Sequence, residues 1–277
     1  MTRPYAEVIG DPIAHSKSPL IHNFWLEKLG IDAEYRACHV RADDLADYFA
    51  RRREDANWRG CNVTIPHKQA VMPFLDEMDD RARSVGAVNT IWKDVDGRLL
   101  GTNTDVDGVA AALVPLRSAS AKAVVIGGGG AARAAFATLA SMHLAKTTVI
   151  ARSGQKAAQA VADCGHKAEA VPFAAGADAI AGASLLINAT QLGMTGQEAM
   201  PAALLNAIPE MQPDGLVFDM VYAPLETELL AIARGWGLAT SDGLVMLVGQ
   251  AATAFERFFG HAPPRSLDAE LRRRLTA

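Results

Sequence analysis

The stretch Lys122-Ala123-Val124-Val125-Ile126-Gly127-Gly128-Gly129-Gly130-Ala131-Ala132 decides the fold of this chain. Ala123 to Ile126 is a short apolar run and predicts a buried strand. Gly130 to His143 is rich in alanine and predicts a helix. Between them the glycines fit the spacing G-x-G-x-x-A, with Gly127, Gly129 and Ala132 at the fixed positions. Gly127 permits the tight turn, Gly129 lets a diphosphate approach the backbone, and a small residue at 132 lets helix and strand pack closely. The diphosphate then rests on the free N–H groups and positive end of the helix. A glycine cluster by itself also describes a flexible turn. The strand before it, the helix after it and a further βα unit beyond favour dinucleotide binding.

Reading onward, Thr147 to Ile150 predicts a strand, Gln155 to Cys164 a helix, and Leu185 to Asn188 and Leu216 to Met220 further strands with helical stretches between. Strands alternating with helices at this interval imply βαβ units and a parallel, doubly wound sheet. The second strand selects the dinucleotide. An NAD site places a carboxylate at that strand's end, to bind the ribose 2′-hydroxyl. Here the strand runs into Ile150-Ala151-Arg152-Ser153, with Lys156 close behind and no carboxylate. A guanidinium, a hydroxyl and an ammonium suit a 2′-phosphate, which favours NADP(H). A surface basic pair at a helix start is the plainer alternative, but cations are disfavoured there by the helix dipole.

Reading back to the start, Tyr5 to Ile9 predicts a strand ending in Gly10-Asp11-Pro12. Ser18-Pro19 opens a helix through Leu29, with Ser18 placed to cap it. Asp32 to Val40 reads as a strand and Asp43 to Arg53 as a helix. Cys61 to Ile65 reads as a strand, followed by Pro66 and another helical stretch. Val88 to Lys93 and Arg98 to Thr102 flank Asp94-Val95-Asp96-Gly97 and predict a hairpin. Leu244 to Phe259 and Leu267 to Leu275 read as helices. The 277 residues suit two α/β domains, joined in a helix starting near Asp105.

Composition narrows the function. Half the residues are hydrophobic and the formal net charge is -4, which gives no electrostatic reason to bind nucleic acid or an acidic membrane. No basic start with an apolar run marks a secretory signal, and no apolar stretch is long enough to span a bilayer. The three cysteines, Cys38, Cys61 and Cys164, are scattered, as reduced thiols of a cytoplasmic protein are expected to be. No Cys-x-x-Cys or His-Glu-x-x-His motif is present, so no metal is expected. A homodimer and a monomer are both compatible with the sequence.

The remaining chemistry lies in segments that are polar where a fold does not require it: His15-Ser16-Lys17-Ser18-Pro19, Asn62-Val63-Thr64-Ile65-Pro66-His67-Lys68, Gly86-Ala87-Val88-Asn89-Thr90 and Asn103-Thr104-Asp105. Each ends a predicted strand or begins the loop after it, where α/β sheets place ligand contacts. Together with Gly127 to Ala134, Asn188-Ala189-Thr190 with Gly193-Met194, Asp219-Met220-Val221-Tyr222 with Pro224, and Gly249-Gln250-Ala251-Ala252, these segments resemble the shikimate dehydrogenase family in order and over nearly the whole chain. The resemblance implies reversible reduction of 3-dehydroshikimate to shikimate with NADPH, on the way to chorismate and the aromatic amino acids. It also implies a discontinuous substrate domain, residues 1–104 plus 242–277, and a Rossmann-like dinucleotide domain over 105–241.

By the same resemblance, Ser16 and Ser18 would bind the substrate carboxylate. Thr64, Asn89, Asp105 and Gln250 would hold the ring hydroxyls, with Tyr222 a further substrate contact. Lys68 matches the catalytic lysine: an ammonium stabilises negative charge growing on a carbonyl oxygen and can deliver a proton, with Asp105 as its partner. Each residue has a plain structural alternative, such as a strand threonine, a turn asparagine, a helix-capping aspartate, a helix-surface glutamine or a solvated lysine. On the cofactor side the resemblance adds Asp80, Thr190, Met220 and Gly243 to Gly127, Gly129, Gly130, Ala131, Arg152, Ser153 and Lys156. The chain departs from the family at Ala151, where asparagine is usual, at Gln191, and at Phe258-Phe259, where a tryptophan is frequent. A quinate-accepting relative of dual specificity and a non-catalytic sensor are the alternatives. Arg152 and Ser18 weigh against the first, Lys68 and Asp105 against the second.

Overall fold

A computed structural model describes residues 3–116, 122–142 and 144–277. The chain divides into one unit of residues 1–105 with 250–277 and a second of residues 106–249. The first unit contains β1 (Tyr5–Gly10), α1 (Ser18–Leu29), β2 (Glu34–His39), α2 (Leu45–Glu54), β3 (Trp58–Val63), β4 (Glu77–Met78), α3 (Asp80–Val85), β5 (Thr90–Lys93) and β6 (Leu99–Thr102). Its six-stranded sheet has the order β2-β1-β3-β5-β6-β4. β1 runs parallel to both neighbours. β5 is antiparallel to β3 and to β6, the expected hairpin. Gly97, at φ +80°, closes that turn.

Local differences from expectation have physical causes. Ser18 is the first helical residue of α1, not its cap; Lys17 holds the cap position without a side-chain bond. The Ser18 N–H instead donates to Ser16 Oγ at 3.3 Å. The stretch after Pro66 is a run of turns ending in a 3₁₀ turn at Met72–Phe74, not an α-helix. The carbonyl of Lys68, needed for a helical ladder, accepts from the Val88 N–H at 2.8 Å instead. β3 starts at Trp58 because Gly60 lets β5 and Phe258 come close; a Cβ there would lie 2.3 Å from the Ile91 carbonyl.

After the first six strands comes α4 (Asp105–Ala112). The second unit then has β7 (Lys122–Ile126), α5 (Gly130–Ala140), β8 (Lys146–Ile150), α6 (Gly154–Asp163), β9 (Glu169–Val171), α7 (Gly176–Ile180), β10 (Leu185–Asn188), α8 (Ala202–Asn206), β11 (Leu216–Asp219), α9 (Glu228–Gly235) and β12 (Ala239–Ser241). The order β12-β11-β10-β7-β8-β9 is all parallel. It reverses direction beside β7, so the switch point lies at the glycine loop. Both faces are covered. Ala123, Val125, Val149, Ile187 and Phe218 enter one core, and Val124, Ile126, Ile150, Leu186 and Val217 the other. α5 ends at Ala140; the expected terminus, His143, lies outside the described residues.

The chain closes with α10 (Gly243–Phe259) and α11 (Asp268–Thr276). The unit boundary falls inside α10, between Gly249 and Gln250, rather than at residue 242. Small residues explain this. Gly108 of α4 admits the Met246 carbonyl, which a Cβ would meet at 2.5 Å, and Gly249 packs on Gly108 and Ala111. The first turns of α10 therefore belong with α4. Among the described residues, no helix is long and apolar enough to cross a membrane.

Candidate active site

The polar segments of the first unit converge. Lys68 Nζ lies 2.5 Å from Asp105 Oδ2, the lysine partly exposed and the aspartate largely buried. Asp105 Oδ1 accepts from Asn89 Nδ2 at 2.8 Å. Asn89 Oδ1 accepts in turn from the Thr104 N–H at 2.7 Å and the Thr90 hydroxyl at 3.0 Å. Thr104 Oγ1 reaches Gln250 Oε1 at 3.4 Å. Asn103 holds the start of α4: its Oδ1 accepts from the Asp105 N–H at 3.1 Å and its Nδ2 donates to the Ala87 carbonyl at 2.9 Å. Lys68, Asn89, Asp105 and Gln250 are thus joined in one hydrogen-bonded set.

Ser16, Ser18 and Thr64 share no hydrogen bond with that set among the described residues. Ser16 is partly buried and Ser18 buried at the entry to α1. Thr64 follows β3, and its methyl sits where a Cβ on Gly10 would clash at 2.6 Å. Hydroxyls whose protons are not committed to a protein acceptor can meet an anion or an alcohol. Thr90, Thr104 and Asn62 belong to the same polar group without having been assigned a role from sequence. The signal was their place in the polar segments.

In the second unit the glycine loop forms one wall of a cavity of about 720 Å³, lined also by Arg152, Thr190, Gln191, Leu192 and Pro201. Gly127 has φ +110°, and a Cβ there would lie 2.8 Å from Thr190 Cγ2. A Cβ on Gly128 would lie 2.8 Å from that of Ala157 on α6. Around Gly129 and Gly130 a Cβ would meet nothing within 4 Å, so their side of the loop is open. Gly129 caps α5, and no acidic residue stands in that helix's first turn. The unpaired first-turn N–H groups and helix dipole therefore suit a diphosphate. Arg152, Ser153 and Lys156 are exposed where β8 passes into α6. Ser153 also caps α6, accepting from the Lys156 N–H at 3.4 Å. The residues present therefore fit a phosphorylated dinucleotide.

Asp219 and Asn188 support the cavity from beneath. Asp219 is fully buried and accepts from Asn188 Nδ2, the Thr227 hydroxyl and the Val221 N–H at 2.9, 2.7 and 3.0 Å. Burial raises its pKa, and those bonds oppose the shift. Asn188 Oδ1 accepts from Thr190 Oγ1 at 2.6 Å and so fixes Thr190 on the loop wall. The Met220 N–H donates to the Asn188 carbonyl at 3.0 Å. Gly243 abuts the Met220 carbonyl, which a Cβ would meet at 2.4 Å. Tyr222, 40% exposed, stands in the loop after β11. Asp80 is exposed in the first turn of α3, in the first unit, 3.7 Å from Arg83.

Comparisons with known proteins agree along the chain. Residues 8–91 match the family model described as the shikimate dehydrogenase substrate binding domain. Residues 109–206 match the shikimate / quinate 5-dehydrogenase model, and residues 243–270 the shikimate 5'-dehydrogenase C-terminal domain. The chain is 50% identical over 274 residues to the NADP(+) shikimate dehydrogenase of Sphingopyxis alaskensis, covering 99% of this chain and 97% of that protein. It matches shikimate 5-dehydrogenase of Thermus thermophilus, solved with NADP(H) and shikimate, at TM-score 0.83 and 35% identity, over 98% of this chain and 99% of that one. It also matches a 5-ketofructose reductase of a Gluconobacter strain at TM-score 0.86 and 30% identity, over 99% of both chains.

Proposed function

The chain belongs to the shikimate dehydrogenase family, and we propose that it reduces 3-dehydroshikimate reversibly to shikimate with NADPH, serving chorismate and aromatic amino-acid synthesis. The observation that carries this reading is the Lys68–Asp105–Asn89 set in the first unit. It stands in the same chain as an open glycine cradle followed by Arg152 instead of a carboxylate. A bound NADPH would supply hydride chemistry for the carbonyl carbon. The chain's own residues do the rest.

The Lys68 ammonium faces the carbonyl oxygen, lowers the cost of its growing negative charge and, with Asp105, supplies the proton that makes the hydroxyl. Asp105 accepts both from Lys68 and from Asn89, which holds the ammonium on one side of the carboxylate. Thr64, Asn89 and Gln250 present donors and acceptors to ring hydroxyls, and Ser16 and Ser18 two hydroxyls to the carboxylate. Tyr222 is assigned as a further substrate contact. Gly127, Gly129, Gly130 and Ala131 take the diphosphate, and Arg152, Ser153 and Lys156 the 2′-phosphate. Asp80, Thr190, Met220 and Gly243 are assigned as cofactor-proximal positions. A cytoplasmic setting fits the three free cysteines.

Initial velocities with shikimate and with quinate, each with NADP and with NAD, test the reading. A higher kcat/KM for shikimate with NADP is the expected result. Equal use of quinate, or preference for NAD, would make the protein a dual-specificity relative. No turnover of any pair would leave a ligand sensor. Sedimentation of the purified chain separates monomer from homodimer.

A further inference from the structure

Behind Asp105 the hydrogen bonds continue into the core of the first unit, and their direction is set at two backbone groups. The Asn89 carbonyl can only accept, and it accepts from Asn62 Nδ2 at 3.2 Å. That fixes the Asn62 amide: its nitrogen also donates to Thr90 Oγ1 at 2.9 Å, and its oxygen accepts from the Tyr35 hydroxyl at 2.6 Å. Thr90, having received a proton on its oxygen, must send its own to Asn89 Oδ1 or to Thr104 Oγ1, each 3.0 Å away. At the far end the Thr104 N–H can only donate, and it donates to Asn89 Oδ1. That bond sets Asn89 with its oxygen inward and its amide nitrogen outward to Asp105, and the Thr90 proton serves the same oxygen either directly or through Thr104 Oγ1, which lies 3.2 Å from it. Tyr35, Asn62, Thr90 and Asn89 are all buried, so water offers none of them a substitute partner.

We propose that Tyr35, Asn62 and Thr90 are positioning residues for this reaction. They form a one-way chain of donors that holds the Asn89 amide as a donor to Asp105, and so leaves the other carboxylate oxygen to Lys68. None of the three needs to touch substrate; each acts through Asn89. The inference rests on the proposed reaction for its kinetic meaning, but the chain itself is a statement about hydrogen bonds.

Two measurements keep these apart. Thr90→Val preserves shape and removes the hydroxyl, and Thr90→Ser restores it. We expect Thr90→Val to lower kcat by about 10- to 100-fold with KM for NADP close to the parent, and to lower Tm by several degrees because the buried Asn62 amide loses a partner. Thr90→Ser should return kcat to within about threefold of the parent, and Tyr35→Phe, at the far end of the chain, should cost less than Thr90→Val. In parallel, the Asn89 side-chain amide protons, assigned by their loss in Asn89→Asp, should exchange slowly in the parent and quickly in Thr90→Val. Parental kcat in Thr90→Val overturns the proposal, as does a kcat loss with unchanged Asn89 amide signals or one that serine fails to rescue. If the parent turns over no shikimate with NADP, the proposed reaction fails, and the amide signals alone decide whether the chain exists.

Discussion

Lys68 and Arg152 carry the sharpest single-residue expectations, because each is a charge with one proposed partner in the reaction. Lys68→Ala should lower kcat by about 10²- to 10⁴-fold while leaving the Kd for NADP nearly unchanged, measured by steady-state kinetics and by cofactor titration. A kcat near the parent's would remove Lys68 from the chemistry. Arg152→Ala should raise KM for NADP by about 10- to 100-fold and leave KM for NAD almost where it was, since only the 2′-phosphate is lost as a partner. At this scale much was legible in the sequence. Lys68, Asp105 and Asn89 stand out by polarity in a place that packing does not demand, and they meet at hydrogen-bond distance. Gln250 joins them through Thr104. What could not be read was Tyr35. A lone tyrosine among the mostly polar residues of β2 reads as the strand's inward, packing face, and its hydroxyl acquires a role only when the fold brings it to Asn62 from 27 residues away.

At the level of an element, the glycine turn between β7 and α5 contains residues that are glycine for different reasons. Gly128 has Ala157 of α6 where a Cβ would go, while Gly129 faces open space at an ordinary φ of -91°. Gly128→Ala should therefore cost about 1–3 kcal/mol of stability by forcing α6 outward. Gly129→Ala should leave Tm unchanged and weaken NADP binding, because its methyl occupies ligand space. Thermal melts with and without NADP check both; equal melting losses for the two variants would show that the loop is shaped by packing alone. The spacing motif marks Gly127 and Gly129 but leaves Gly128 as a free position. Its constraint comes from a helix that packs across it, which no local pattern contains. The turns after Pro66 read as helix in the sequence for a similar reason: a distant N–H, that of Val88, takes the Lys68 carbonyl.

For the molecule as a whole, His22 links acidity to folding. Its ring is fully buried, stacked at 3.9 Å on Tyr35, and neither nitrogen has a partner among the described residues. Burial lowers its pKa from 6.5 to about 3. The unfolded chain takes up that proton as pH falls below 6.5, whereas the folded chain resists until about 3. Stability is thus fully present above that upper value and drains away as pH falls through the interval. His22→Phe keeps a ring in the stack and removes the titration. Its stability relative to the parent should rise by roughly 1.4 kcal/mol for each pH unit of acidification below the upper value, read from urea midpoints. A constant difference between the two proteins from pH 7 to pH 4 would clear His22 of the effect. The two-sheet architecture was legible because strand and helix periods alternate cleanly. The exact seam between the units was not, because α10 is one unbroken apolar helix whose two halves answer to different neighbours.

That seam has a consequence for how the protein is made. The first unit needs its own last residues: Phe255 and Phe258 lie against the rings of His22 and Tyr35, and Lys17 reaches the Leu275 carbonyl while Lys28 pairs with Glu270. The middle unit, residues 106–249, is one uninterrupted run of chain. A ribosome delivering roughly 5–20 residues per second therefore releases the opening segment, has it wait for on the order of ten seconds, and completes the middle unit meanwhile. The stretch bearing Lys68 is translated early and finished last.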